Sequence, residues 1–218
     1  MRRQLTDTAM PAKPIRILIV DDHPALRFGL CSMIGKERDM TVVAETGDGA
    51  ESVELYQRHQ PDIVLMDLRL PGMSGVEAIL AIRHKSPDAR IIVNTTYDAD
   101  EDIHRAIQSG AKSYLLKDMP KEEILGVIRS VHAGHSVLPS QIKERLEERM
   151  SRPALTQRET AVVKLLVKGR GNKEIADSLG ITEPAVKFRI QRILTKLGAI
   201  DRTSAVIAAL RHGIVHLE

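Results

Sequence analysis

Five short apolar runs, each followed by a stretch of helical spacing, constrain this chain more than any other feature. The runs are Ile15–Val20 (IRILIV), Thr41–Glu45, Ile63–Met66, Ile91–Thr95 and Ser113–Leu116. Successive residues of a strand point to opposite faces, so continuous apolar runs suit strands covered on both sides, as in a parallel sheet. Ala25–Ile34, Glu51–His59, Val76–His84, Glu101–Ser109 and Glu122–His132 carry the helical spacing. Five βα units in succession predict an α/β fold, a doubly wound five-stranded parallel sheet with helices on both faces, over residues 15–134. Residues 1–14 have no periodicity and read as a flexible N-terminal arm.

Past Ala133 the rhythm stops. Residues 135–152 read as a linker, although KERLEERM within them has the composition of a short helix. Residues 153–218 carry helical signals only. Thr156-Gln157-Arg158-Glu159 is a capping box opening an apolar helix to about Lys168. Asn172 is the expected cap of a second helix ending at Leu179. Gly180-Ile181 turns the chain, and Thr182, with Pro184 in the first turn, opens a third helix to about Leu197. Asp201 caps a fourth that ends near His212. Two short helices joined by a glycine-containing turn predict an all-α helix-turn-helix domain behind the sheet.

Charge divides the same way. The chain of 218 residues has a net charge of +3, with +5 on residues 153–218 and −2 on the remainder. A basic helical unit implies an anionic partner, nucleic acid foremost. Aromatic residues are 2% of the chain and Trp is absent, which argues against base-stacking platforms for single strands. A lone cysteine, Cys31, forbids an intrachain disulfide and fits a reducing compartment; on an apolar helix face it reads as core. No apolar run reaches the length of a membrane span, and the basic Met1-Arg2-Arg3 leads into polar residues, not an apolar segment. The expected setting is the cytoplasm, with no membrane partner.

Acidic residues mark the strand ends. Asp21-Asp22 closes the first run and Asp67 the third. In an open α/β sheet, ligands sit at the carboxyl ends where strand order reverses beside the first strand, so these three carboxylates are expected to converge. At roughly 4 Å and an effective dielectric near 20, each like-charge pair costs about 4 kcal/mol, so a cation belongs there. An all-oxygen set suits a hard divalent ion, Mg²⁺ by default. Thr95 ends the fourth run and Lys117 the fifth, adding a hydroxyl and an ammonium. A carboxylate can attack phosphorus and form an aspartyl phosphate, while cations neutralise the phosphoryl oxygens.

The runs ILIVDDH and DIVLMDLRLPGMSG, a strand ending in Thr95, and YLLKD resemble the receiver domain of two-component response regulators. That resemblance implies a flavodoxin-like fold with Asp67 as phosphoacceptor. It implies Mg²⁺ held by Asp21, Asp22, Asp67 and the backbone carbonyl of Arg69. Pro71 and Gly75 match the family's loop positions, Thr95 and Tyr114 its switch pair, and Lys117 its phosphate-binding lysine. A sensor histidine kinase would supply the phosphoryl group. Asn94 departs from the pattern, standing where an aliphatic residue is usual; if buried, it needs hydrogen-bond partners.

The segment from Leu155 to Val215, with NKEIA, VK and the KLG…DRT tail, resembles the LuxR-type DNA-binding domain, and the whole chain the NarL/FixJ response regulators. Lys187, Phe188 and Gln191 share one face of the third helix of this domain, and the resemblance places contacts to base edges there. Arg189, Arg192, Lys173 and Lys196 are candidates for phosphate contacts. The opposite stripe, Ala185, Val186, Ile190, Ile193, Leu194 and Leu197, is apolar. Ala185, Arg189 and Gly171 depart from the Thr or Ser, the His and the capping Ser common in the family. His132-x-x-His135 and His212-x₃-His216 have ligand-like spacing but lie at helix ends, where the dipole already favours a His.

The expected function is therefore a phosphorylation-switched transcription regulator that binds double-stranded DNA as a homodimer, pairing through Asp201–His212. The alternative is a phosphorylation-independent DNA-binding regulator whose receiver serves as a dimerisation module. An aspartyl phosphatase is disfavoured, since Asp67-Leu68-Arg69 lacks the second Asp such chemistry uses. Self-phosphorylation and slow self-dephosphorylation at Asp67 are the only activities expected.

Overall fold

The computed structural model describes residues 13–96 and 99–216; the expected arm over 1–14 lies outside them but for its last two residues. The first strands and helices are β1 (Ile15–Val20), α1 (Pro24–Ile34), β2 (Met40–Thr46), α2 (Gly49–His59) and β3 (Ile63–Met66). Then follow α3 (Gly75–Lys85), β4 (Ile91–Thr95), α4 (Asp100–Gln108), β5 (Ser113–Leu116) and α5 (Lys121–His132). The last five helices are α6 (Ser140–Ser151), α7 (Gln157–Val167), α8 (Asn172–Leu179), α9 (Glu183–Leu197) and α10 (Arg202–Arg211).

All five strands are parallel, in the order β2-β1-β3-β4-β5. The chain moves one way from β1 to β2 and the other way from β1 to β3, so a crevice opens at the carboxyl ends of β1 and β3. Every residue of β3 and β4 is buried, which is why these runs read as continuously apolar. Flanking helices supply the cover, with Ile34, Leu55, Ile79, Ile82, Leu125 and Ile128 all buried.

Caps explain where helices begin. Asp48 accepts from the amides of Ala50 and Glu51, so α2 starts two residues before its apolar spacing does. Ser74 and Glu77 form a capping box on α3. Residues 135–152, expected as linker, contain the 12-residue helix α6.

Contacts divide the described chain into two units. The first runs to Thr95 and resumes over Ser109–Val137; the second joins Thr96–Gln108 to Leu138 onward. Thr96–Gln108 falls inside the expected 15–134 domain, yet by contact it groups with the C-terminal helices. Charge accounts for this: Arg149 pairs with Glu101 and Arg152 with Asp100, so the acidic first turn of α4 is neutralised from α6 and the residue after it.

The core of the C-terminal helices is Val162, Val163, Leu166, Ile175, Ala176, Val186, Ile193, Ala205, Ala209 and Val215. Thr156 and Glu159 form the expected capping box on α7, and Asp201 caps α10 through the Ser204 amide. At α8 the expectation needs correction: Gly171, not Asn172, is the N-cap. The Glu174 carboxylate reaches back to the Gly171 N–H at 2.7 Å, replacing the cap side chain that glycine lacks.

Candidate functional site

β1 and β3 deliver their carboxylates to the same place because their backbones are locked in register, Val20 beside Met66. The Asp67 amide donates to the Val20 carbonyl at 2.8 Å, and the Asp21 amide to the Thr46 carbonyl at 3.0 Å. Asp21 and Asp67 are both buried. Ligand atoms of Asp21, Asp22, His23 and Asp67 all lie within 4.8 Å of one another. From the end of β5, Lys117 inserts its ammonium 2.7 Å from Asp21 Oδ2 and 2.6 Å from Asp67 Oδ2. Burial works to lower the pKa of Lys117, but the hydrogen bonds and charges of Asp21 and Asp67 outweigh it and raise the pKa.

Two of the three carboxylates, Asp21 and Asp67, share a single ammonium, the His23 imidazole is engaged by Asp22 at 2.6 Å, and the hard carboxylate oxygens with their residual negative charge match a divalent cation. The set fits Mg²⁺. The loop after β3 closes over the acceptor: the Arg69 amide donates to Asp67 Oδ1 at 3.3 Å and the Gly75 amide to the Leu68 carbonyl at 3.0 Å. A Cβ on Gly75 would lie 2.0 Å from the Asp67 carbonyl oxygen, so only glycine permits this approach.

Thr95 and Tyr114 are fully buried. β4 and β5 pair Val93 with Tyr114 and Thr95 with Leu116, which puts Tyr114 on the same sheet face as Thr95. The Thr95 hydroxyl has no hydrogen-bond partner among the described residues. Asn94 is buried too, and its side-chain oxygen is likewise without a partner there.

In the C-terminal unit, Thr182 caps α9 through the Ala185 amide, and Pro184 occupies the first turn. Val186 and Ile193 are buried in the core, with Ile190, Leu194 and Leu197 packed against it. Ala185, expected in that stripe, is half-buried at the first turn. Lys187, Phe188 and Gln191 are exposed together on α9, Phe188 at 64%. Arg192 and Lys173 are exposed and Arg189 is half-buried. Lys196 differs from them, because its ammonium is engaged by Glu159 at 2.7 Å and by the Ala154 carbonyl at 3.0 Å.

Residues 17–129 match the family model "Response regulator receiver domain", and residues 153–209 match "Bacterial regulatory proteins, luxR family". The chain belongs to the response regulators. It is similar to the response regulator protein VraR of Staphylococcus saprophyticus, with 36% identity over 93% of this chain and 99% of the relative. Among solved structures it is similar to the response regulator ChrA of a heme-sensing two-component system, with 33% identity, 93% and 99% coverage and a TM-score of 0.57. RcsB from Salmonella enterica serovar Typhimurium, bound to a promoter, shares the fold at 20% identity, 92% and 99% coverage and a TM-score of 0.70.

Two pocket residues of this response regulator escaped the sequence reading. His23 Nδ1 lies 2.6 Å from Asp22 Oδ1, and Arg27 donates to the Asp21 carbonyl at 2.6 Å. The run Asp-Asp-His was the available signal for His23. Arg27 sits four residues further on, about one turn, where spacing says only that it is on α1. The expected core position of Cys31 also needs correction: it is half-exposed, and its thiol donates to Glu45 at 2.8 Å. Burial first, then that carboxylate, push the thiol pKa up to about 12. Of the histidine pairs, His212 faces Asp100 and His216 faces Asp102, so each meets its own carboxylate. No helix among the described residues is long and apolar enough to cross a membrane.

Proposed function

We propose that Asp67 accepts a phosphoryl group from a sensor histidine kinase, and that this event switches the C-terminal helices to bind double-stranded DNA as a homodimer and regulate transcription. The observation carrying the proposal is the buried Lys117 ammonium held between Asp21 and Asp67 at 2.7 and 2.6 Å. An Asp67 oxygen attacks phosphorus as the bond from phosphorus to the kinase imidazole nitrogen breaks; the released imidazole takes a proton from solvent. Lys117 passes from the carboxylate to the incoming phosphoryl oxygens. Asp21, Asp22, Asp67 and the Arg69 carbonyl would hold Mg²⁺, which would add charge neutralisation at those oxygens. Thr95, whose hydroxyl has no partner among the described residues, turns to a phosphoryl oxygen, and Tyr114, already buried on the same sheet face, repacks behind it. A local charge change thereby biases a two-state element.

In this reading the receiver spans 15–134, the linker 135–152 and the DNA-binding domain 153–218, working in the cytoplasm. Its chemistry is limited to self-phosphorylation and slow self-dephosphorylation at Asp67. Lys187, Phe188 and Gln191 read base edges, while Arg189, Arg192 and Lys173 position the phosphate backbone. The test is intact mass after incubation with acetyl phosphate, with and without Mg²⁺, beside Asp67→Asn. One phosphoryl gain that requires both Mg²⁺ and Asp67 is expected. The Asn94 oxygen beside Thr95, without a partner among the described residues, favours a second reading, in which DNA is bound without phosphorylation and the receiver is a dimerisation module. That reading wins if no phosphoryl group is gained and DNA is bound regardless.

A further inference from the structure

Glu159 is a charged residue at 3% exposure, placed between two helices of the C-terminal unit. Its Oε2 accepts from the Thr156 amide at 2.7 Å and from the Thr156 hydroxyl at 3.0 Å, which closes the cap of α7. The same oxygen takes the Lys196 ammonium at 2.7 Å, and Oε1 lies 3.5 Å from Arg192 Nε. Both cations come from α9. Lys196 also donates to the Ala154 carbonyl at 3.0 Å, so the last turn of α9 is pinned twice to the segment that enters α7. Lys196 and Arg192 differ sharply in freedom: the side chain of the first is 18% exposed and that of the second 55%. Arg192 stands over the Phe188 ring, 6.0 Å from its centre.

Phe188, Arg192 and Lys196 recur every four residues and share one edge of α9. A buried carboxylate holds its cation tightly, because a departing ammonium would leave the charge uncompensated away from water. Resting on the DNA-binding reading above, we infer that Lys196 is not a phosphate contact but a positioning residue. With Glu159 it clamps α9 to the cap of α7 and sets the angle at which Lys187, Phe188 and Gln191 meet the bases. Arg192, on the open side of the same carboxylate, is the phosphate contact of that edge.

The test compares the full-length protein and its variants on two duplexes of about 30 base pairs. One is selected by the wild-type protein from a randomised pool and the other is its scrambled version. Each phosphate contact adds about 0.9 to the slope of log affinity against log salt. Arg192→Gln is expected to lower the slope on the scrambled duplex by about that amount. Lys196→Met alone strands Glu159 and risks unfolding, so Glu159→Gln with Lys196→Met is the decisive variant, its fold checked by circular dichroism. It is expected to keep the wild-type slope while losing on the order of tenfold in preference for the selected duplex. Lys196→Arg alone, which retains the ion pair with Glu159, is expected to keep the wild-type preference. A slope reduced by about 0.9 in the double variant would overturn the inference, as would an unchanged preference. A flat wild-type salt plot would overturn the DNA-binding reading and the inference with it.

Discussion

At the scale of single residues, unusual surroundings translate into measurable differences. Asn94 is a buried amide whose oxygen finds no partner among the described residues, and an unsatisfied buried polar group costs about 1–3 kcal/mol. Asn94→Val should therefore raise stability to urea by about 1 kcal/mol. A loss of stability would show that the amide has a partner in solution. Gly75→Ala should do the reverse, because its Cβ would lie 2.0 Å from a backbone oxygen of the acceptor residue itself. The loop must move, and phosphoryl uptake from acetyl phosphate should fall more than stability does; equal uptake by the variant would contradict the close approach. Cys31, with its thiol pushed up to about 12, should be alkylated by iodoacetamide at pH 8 more slowly than a free thiol despite its partial exposure.

At the scale of elements, the join of α7 and α9 carries a pH signature. Burial works to raise the Glu159 pKa, but the Lys196 hydrogen bond, the Thr156 donors and the Lys196 charge outweigh it and hold the carboxyl below its ordinary 4.5. A carboxylate with a depressed folded pKa adds stability that is present in full above its unfolded value and is lost as pH falls through the folded one. Acid unfolding of the C-terminal helices should thus begin below about pH 4.5 in the wild-type protein. The Glu159→Gln, Lys196→Met variant should unfold with a shallower pH dependence over that window, as followed by circular dichroism. Identical profiles would show that the pair does not couple folding to protons.

The expected capping box on α7 was legible as Thr-x-x-Glu, because capping is a contact between residues three apart. The N-cap of α8 was misplaced by one residue, since Glu174 reaching back is a choice between two local donors that composition does not rank. Helix α6 was half-legible: its charged stretch has helical composition but lacks a continuous apolar stripe to fix its length.

At the scale of the whole molecule, charge is concentrated where the strands end. Without a cation the carboxylates of Asp21, Asp22 and Asp67 repel one another, and Lys117 compensates only in part. Added Mg²⁺ should raise the thermal midpoint, since a ligand that binds only the folded state stabilises it in proportion to the logarithm of its concentration. Asp22→Asn should make the protein more stable than wild type in EDTA and largely abolish the response to Mg²⁺. A midpoint indifferent to Mg²⁺ in the wild-type protein would remove the ion from the pocket.

The sequence by itself determined the class of fold, the order of its elements and the convergence of Asp21, Asp22, Asp67 and Lys117. Those follow from periodicity and from the rule that parallel strands bring their carboxyl ends to one edge. Tertiary structure alone decided the partners. It set His23 and Arg27 against the acidic pair, turned Cys31 toward Glu45, left the Asn94 side-chain oxygen without a partner among the described residues, and separated Lys196 from Arg192 by holding the first closer to a buried carboxylate. Hydrophobic spacing is a local property and survives in the sequence. A hydrogen bond between Glu159 and Lys196 joins residues 37 positions apart, and only the packed helices bring them together.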